Sequence, residues 1–196
     1  MRLNRMLANI AWVGAVGILF AGSVGGEGRE TAQFEAKETL LRPTGYREWV
    51  FVGSSLGLQY AKNPEEDRVG ERRGPASQVY HNVYINPSSY RTFSKTGQFP
   101  EGTILILELA NADIKKEPGL QGSYQKDFVG LEASVKDSKR FAEGWAYFSF
   151  DGPNGKVKDK AQPFPKDECW SCHHQKAATD HVFTQFYPVL RAVKPK

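Results

Sequence analysis

The chain has 196 residues, a formal net charge of +4, 40% hydrophobic and 12% aromatic residues, and two cysteines. That composition supports one globular core and excludes a disulfide-stapled scaffold. The basic residues form no stripe interleaved with aromatics, which argues against nucleic acid as a partner.

Arg2 and Arg5 precede an apolar stretch from Met6 to Phe20, and small residues follow from Ala21 to Gly26. This order reads as a secretory signal over about residues 1–23, cleaved between Ala21 and Glu27. The apolar run is shorter than the roughly 20 residues a membrane span requires, so no membrane association is expected after cleavage. Loss of Arg2 and Arg5 lowers the charge from +4 to +2. Residues 24–39 read as an N-terminal extension, and residues 40–193 as one domain of ordinary size.

Glu30 to Leu41 reads as a short amphipathic helix stopped before Pro43. Trp49 to Val52 reads as a strand ended by Gly53, and Lys62 to Ser77 as a long polar loop. Val79 to Ile85 is rich in β-branched and aromatic residues and reads as a strand. Pro87 to Lys95 reads as a helix with Asn86 as its cap and Gly97 beyond its end. Thr103 to Leu109 is a strand with Thr103, Leu105, Leu107 and Leu109 on one face and Ile104, Ile106 and Glu108 on the other. Ala112 to Lys126, holding Pro118, Gly119 and Gly122, reads as a loop. Phe128 to Val135 and Trp145 to Phe150 read as strands, with a turn cluster from Asp151 to Gly155. Asp167 to Thr179 reads as a helix capped by Asp167. The expected fold is mainly β (α+β), an antiparallel sheet with a few short helices.

That last helix carries Cys169-Trp170-Ser171-Cys172-His173, the C-x-x-C-H sequence of c-type haem attachment. Two thiols three residues apart can each add to a vinyl group on one edge of the macrocycle. The next residue, His173, then falls under the iron as its axial ligand. The expected cofactor is one haem c, bound covalently through Cys169 and Cys172. A disulfide or half of a zinc site are the alternatives. Zinc would need a second ligand pair, which His174 and His181 do not convincingly supply. Covalent haem is attached outside the cytoplasm, in agreement with the leader, so a bacterial periplasmic location is expected.

Met1 and Met6 both lie in the leader, so the mature chain has no methionine for a sixth ligand. His174 adjoins His173 and cannot easily reach the opposite haem face, which leaves His81 and His181. The default expectation is an open distal position. The segment Val182 to Val193, aromatic and apolar, is expected to pack near the haem.

Five further segments carry a resemblance: Gly45 to Val50, His81 to Pro87, Lys95-Thr96-Gly97, Gly130 to Asp137, and Val182 to Arg191. With the haem motif they resemble the cytochrome P-460 family over about Leu40 to Val193. The resemblance implies a mainly antiparallel β protein with one c-haem, often a homodimer. One branch of that family oxidises hydroxylamine and has its haem crosslinked to a lysine. The other, the β-type cytochromes c-prime, lacks the crosslink and binds nitric oxide in an apolar distal pocket. Here the crosslinking lysine's place is taken by Leu107, and neither Lys95 nor Lys115 is expected to replace it. The family's proton-relay carboxylate matches Glu132, the expected catalytic residue. A distal arginine of the hydroxylamine oxidases falls at His81, which would be a distal-pocket residue or a second iron ligand. Tyr80, Phe128 and Phe150 are candidate aromatics over the pocket. The expected function is binding of nitric oxide or a related small nitrogen ligand at an open distal site. The alternatives are hydroxylamine oxidation with an external, periplasmic electron acceptor, and a bis-His electron carrier.

Overall fold

A computed structural model describes residues 30–58, 78–153 and 156–193. The leader, the Lys62 to Ser77 loop and part of the Asp151 to Gly155 turn lie outside the described residues. Eight strands are found among those described: β1 (Phe34–Glu35), β2 (Thr39–Leu41), β3 (Val50–Leu56), β4 (Val79–Ile85), β5 (Ile104–Glu117), β6 (Leu120–Lys136), β7 (Trp145–Ser149) and β8 (Lys160–Ala161). The α-helices among the described residues are α1 (Pro87–Thr96), α2 (Trp170–Lys176) and α3 (Pro188–Arg191). The fold is therefore mainly antiparallel β with a few short helices, as the sequence pattern indicates. None of the described helices is long and apolar enough to cross a membrane.

Strands β3 to β7 form one antiparallel sheet in sequential order, and β1, β2 and β8 form a second, smaller one. Alternation along β5 divides the molecule. Ile104 and Ile106 enter a core with Leu131, Ala133, Val135, Phe148 and Phe150, covered by Leu40 and Ala161 of the small sheet. Leu105 and Leu107 face the other way, toward Val83, Ile85, Tyr147, Val182, Leu190 and the haem-motif segment. Helix α1 caps this second core through Phe93, stacked on Phe99 at 4.1 Å.

Five expectations are corrected. Gly53 does not end the strand after Val52, because β3 runs through it to Leu56 and Gly53 pairs with Val83. Glu30 to Leu41 is not a helix but contains β1 and β2, because Leu40 gains cross-strand partners at Phe34 and, far along the chain, at Ala161. The stretch from Ala112 to Lys126 is not a loop but the outer part of the β5–β6 hairpin, with Ala112 opposite Gln125 and Glu117 opposite Leu120. Its turn is Pro118-Gly119, with Gly119 at φ 86°, the glycine-requiring position of a type II turn. The Asp167 to Thr179 helix is confined to Trp170–Lys176, preceded by Cys169 with no side-chain cap. Asn86 occupies the N-cap position of α1, but its side chain makes no capping hydrogen bond. Its side chain instead accepts from the Ile104 N–H and donates to the Glu30 and Gly102 carbonyls.

Candidate functional site

The register of three strands builds one wall of a cavity. Leu107 on β5 lies opposite both Val83 on β4 and Glu132 on β6, so all three side chains share a face. Leu105, Ser134 and Tyr147 extend that wall. Helix α2 and the segment from His181 to Tyr187 stand across from it and enclose about 560 Å³, within the roughly 300–1,000 Å³ of ligand and cofactor pockets. Cys169, Cys172 and His173 all line this space. The structure thus brings together the three haem-motif residues, Leu107 and Glu132.

His173 is held in one tautomer. Its Nδ1 lies 2.8 Å from the His181 carbonyl oxygen. A carbonyl only accepts, so Nδ1 carries the proton and the neutral ring's lone pair sits on Nε2, the arrangement of a metal-ligating histidine. The ring packs between Tyr147 at 4.4 Å and Phe183 at 4.5 Å. Burial pushes its pKa down to about 4, which keeps the imidazole neutral near pH 7. Cys169 and Cys172 are not joined in a disulfide. Burial, with smaller contributions from Glu132, Glu168 and Cys172, pushes Cys169 up to about 11. The disulfide alternative is therefore not realised. No cluster of three or more His, Cys, Asp or Glu side chains among the described residues could hold a metal ion, so the zinc alternative lacks its second ligand pair there. Apolar walls, two thiols and one oriented imidazole facing a single cavity fit a flat apolar macrocycle carrying an iron.

Glu132 is the carboxylate on the sheet wall. Burial first, and then the nearby Asp151 charge, raise its pKa to about 7. Asp151 is itself fixed by accepting the Leu131 N–H at 2.8 Å. A carboxyl poised there can hold or release a proton near neutral pH.

His81 lies two residues from Val83 on β4 and by alternation faces the same way, but it does not line the cavity. Burial lowers its pKa, and its Nδ1 is buried without a hydrogen-bond partner. The three candidate aromatics are corrected. Tyr80 alternates onto the face of Asn82 and Tyr84. Phe128 lies under the Arg47 guanidinium at 5.7 Å. Phe150 is fully buried in the core on the far side of the sheet. The aromatic side chains that do face the cavity are Tyr147, Phe183 and Tyr187, while the Phe148 ring packs in the core on the far side of the sheet. Phe183 and Tyr187 fall in the segment expected near the haem. Tyr147 is the one not named by the sequence reading; strand parity marks it, since it lies two residues from Trp145 and three from Phe150. Lys95 and Lys115 do not reach the cavity, whereas Lys176, one turn beyond His173, does.

The chain matches the family model described as Cytochrome P460 over residues 43–184. A comparison with curated proteins found no match.

Proposed function

The chain belongs to the cytochrome P460 family, a family of haem cytochromes, and from that premise we propose that it is an exported, periplasmic mono-haem protein that binds nitric oxide or a related small nitrogen ligand at an open iron position. Cys169 and Cys172 would carry the thioether bonds, and His173 would ligate the iron through Nε2. Once bound, the haem supplies a coordination position for a nitrogen ligand and one-electron chemistry. The chain's own residues supply the setting. Val83, Leu105 and Leu107 present an apolar wall that excludes water and disfavours charged ligands. The observation that carries this reading is Leu107 on that wall, a side chain unable to form the crosslink expected of the hydroxylamine-oxidising branch.

Glu132 favours a second reading, hydroxylamine oxidation with electrons passed to an external periplasmic acceptor. Its carboxyl sits on the cavity wall and titrates near pH 7, so it can take protons as a nitrogen substrate loses them. The third reading, a bis-His carrier, would require His81 at the cavity, whose lining does not include it. A homodimer is part of the proposal. The outer β5–β6 hairpin from Ala112 to Asp127 pairs only with itself among the described strands and exposes Leu120 and Tyr124, a surface that an isolated two-stranded ribbon leaves poorly supported.

Two assays on the haem-loaded protein decide between the readings. Titration with nitric oxide should saturate at one ligand per chain. Turnover of hydroxylamine with an artificial electron acceptor should stay near background. Sustained turnover would transfer the conclusion to the oxidase reading.

A further inference from the structure

The turn that supplies the His181 carbonyl is unusual. Val182 N–H donates to the Thr179 carbonyl at 2.8 Å and Thr179 N–H donates back at 3.3 Å, so Asp180 and His181 are the two central residues of a tight turn. Both have positive φ, 42° and 63°, the signature of a type I′ turn. That turn ordinarily takes Asn-Gly or Gly-Gly, because other residues are strained there. Strained backbone persists only where its surroundings over-determine it, and it clusters at functional sites.

Here the surroundings do so from two sides. Asp180 is tied to the sheet: its Oδ1 accepts from Trp145 Nε1 at 3.1 Å, and its Oδ2 accepts from Lys136 Nζ at 2.7 Å. Lys136 is fixed in turn by donating to the Phe99 carbonyl at 2.8 Å. His181 is tied to α2: its Nε2 lies 3.1 Å from His174 Nδ1, and its ring packs on Trp170 at 5.2 Å. The carbonyl between these anchors accepts from His173 Nδ1 at 2.8 Å and from the Tyr147 hydroxyl at 3.4 Å.

We infer that the Asp180–His181 turn is a positioning device for the iron's axial histidine: Asp180 locks the turn to β6 and β7, and the locked His181 carbonyl fixes the ring orientation and tautomer of His173. Asp180 is thus a positioning residue, held by two hydrogen bonds, that acts on the iron through the turn backbone and the His173–His181 carbonyl hydrogen bond without touching the haem site. The hydrogen bond to the carbonyl makes Nε2 a stronger donor, which favours ferric over ferrous iron. This inference rests on the reading of His173 as the iron's ligand.

The test uses haem-loaded full chain and two readouts that a merely structural residue would not move together: the iron–histidine stretching frequency of the ferrous protein and the reduction potential. Asp180→Ala removes both anchors and leaves a side chain at positive φ. Its stretching frequency should fall, and the ferrous form should gain about tenfold, about 59 mV for one electron. Asp180→Asn keeps an acceptor for Trp145 and suits the left-handed region, so it should restore most of both values. If Asp180→Ala fails to fold, Trp145→Phe removes the same donor while keeping an aromatic ring, and should move both readouts in the same direction. Unchanged values in Asp180→Ala or Trp145→Phe would overturn the inference. So would an Asp180→Asn shift as large as the alanine one, since lost charge rather than a released turn would then be the cause. Absence of an iron–histidine stretch in the wild-type protein would instead overturn the ligand reading beneath it.

Discussion

Glu132→Gln separates proton handling from shape at the cavity. The carboxyl is displaced from its ordinary value of 4.5 to about 7, chiefly by burial. Between those values the folded protein keeps a proton that the unfolded chain has released. The wild type therefore loses stability as pH rises from about 4.5 to about 7, and the contribution is flat on either side. At 1.36 kcal/mol per pH unit, the full displacement amounts to about 3 kcal/mol. The amide has a similar shape and no such proton. The stability of the variant relative to wild type should accordingly improve by about 3 kcal/mol between pH 4 and pH 8. Urea denaturation at fixed ionic strength, with the midpoint and slope measured at each pH, reads this directly. A difference that does not change across that range would refute the argument, because the carboxyl would then be solvated and titrating normally. It would also remove the basis for Glu132 as a proton acceptor near neutral pH.

Other perturbations address the rest of the account. Cys169→Ala and Cys172→Ala should each retain haem through the remaining thioether after denaturation, while the double variant retains none, as read by mass spectrometry. Leu107→Lys places an amine on the wall between Val83 and Glu132. A shifted ferrous spectrum and a haem that resists release from the Cys169, Cys172 double variant should follow. Phe148→Ala removes a fully buried ring that packs on Phe34 and Phe141, and should cost about 3–5 kcal/mol, measured as a lowered urea midpoint. Replacing Leu120 and Tyr124 with charged residues should shift a dimer toward monomer in analytical ultracentrifugation without changing the haem spectrum.

The sequence revealed those parts of the site whose chemistry is local. Cys169, Cys172 and His173 are fixed by spacing, and the division of β5 into two faces is fixed by strict alternation. Helix α1 is legible because Pro87 suits its first turn and Gly97 takes φ 71° at its end. What escaped was set by partners remote in the chain or by parity. The strands at Phe34 and Leu40 are too short to carry a period of two, and β2 is completed by β8 about 120 residues later. The outer β5–β6 hairpin carries charged and polar residues on both faces, broken by Ile114, Leu120 and Tyr124, so it shows no sustained apolar alternation, and only Pro118-Gly119 marks its turn. Phe150, a candidate aromatic over the pocket, is three residues from Tyr147 and so falls on the opposite face of the sheet. The Asp180–His181 turn has no glycine to announce it, because side-chain anchors do the work that glycine's freedom does elsewhere. His181 was weighed as an iron ligand, whereas its backbone carbonyl, not its ring, touches the haem-motif histidine.

The central claim is an open haem iron ligated by His173 in an uncrosslinked pocket. The optical spectrum of the purified protein, ferric and then dithionite-reduced, tests it most directly. The account predicts an ordinary high-spin c-haem in both states. A strongly red-shifted reduced Soret band would contradict it by revealing a side-chain crosslink despite Leu107, and a sharp low-spin spectrum would contradict it by revealing a sixth ligand from the chain.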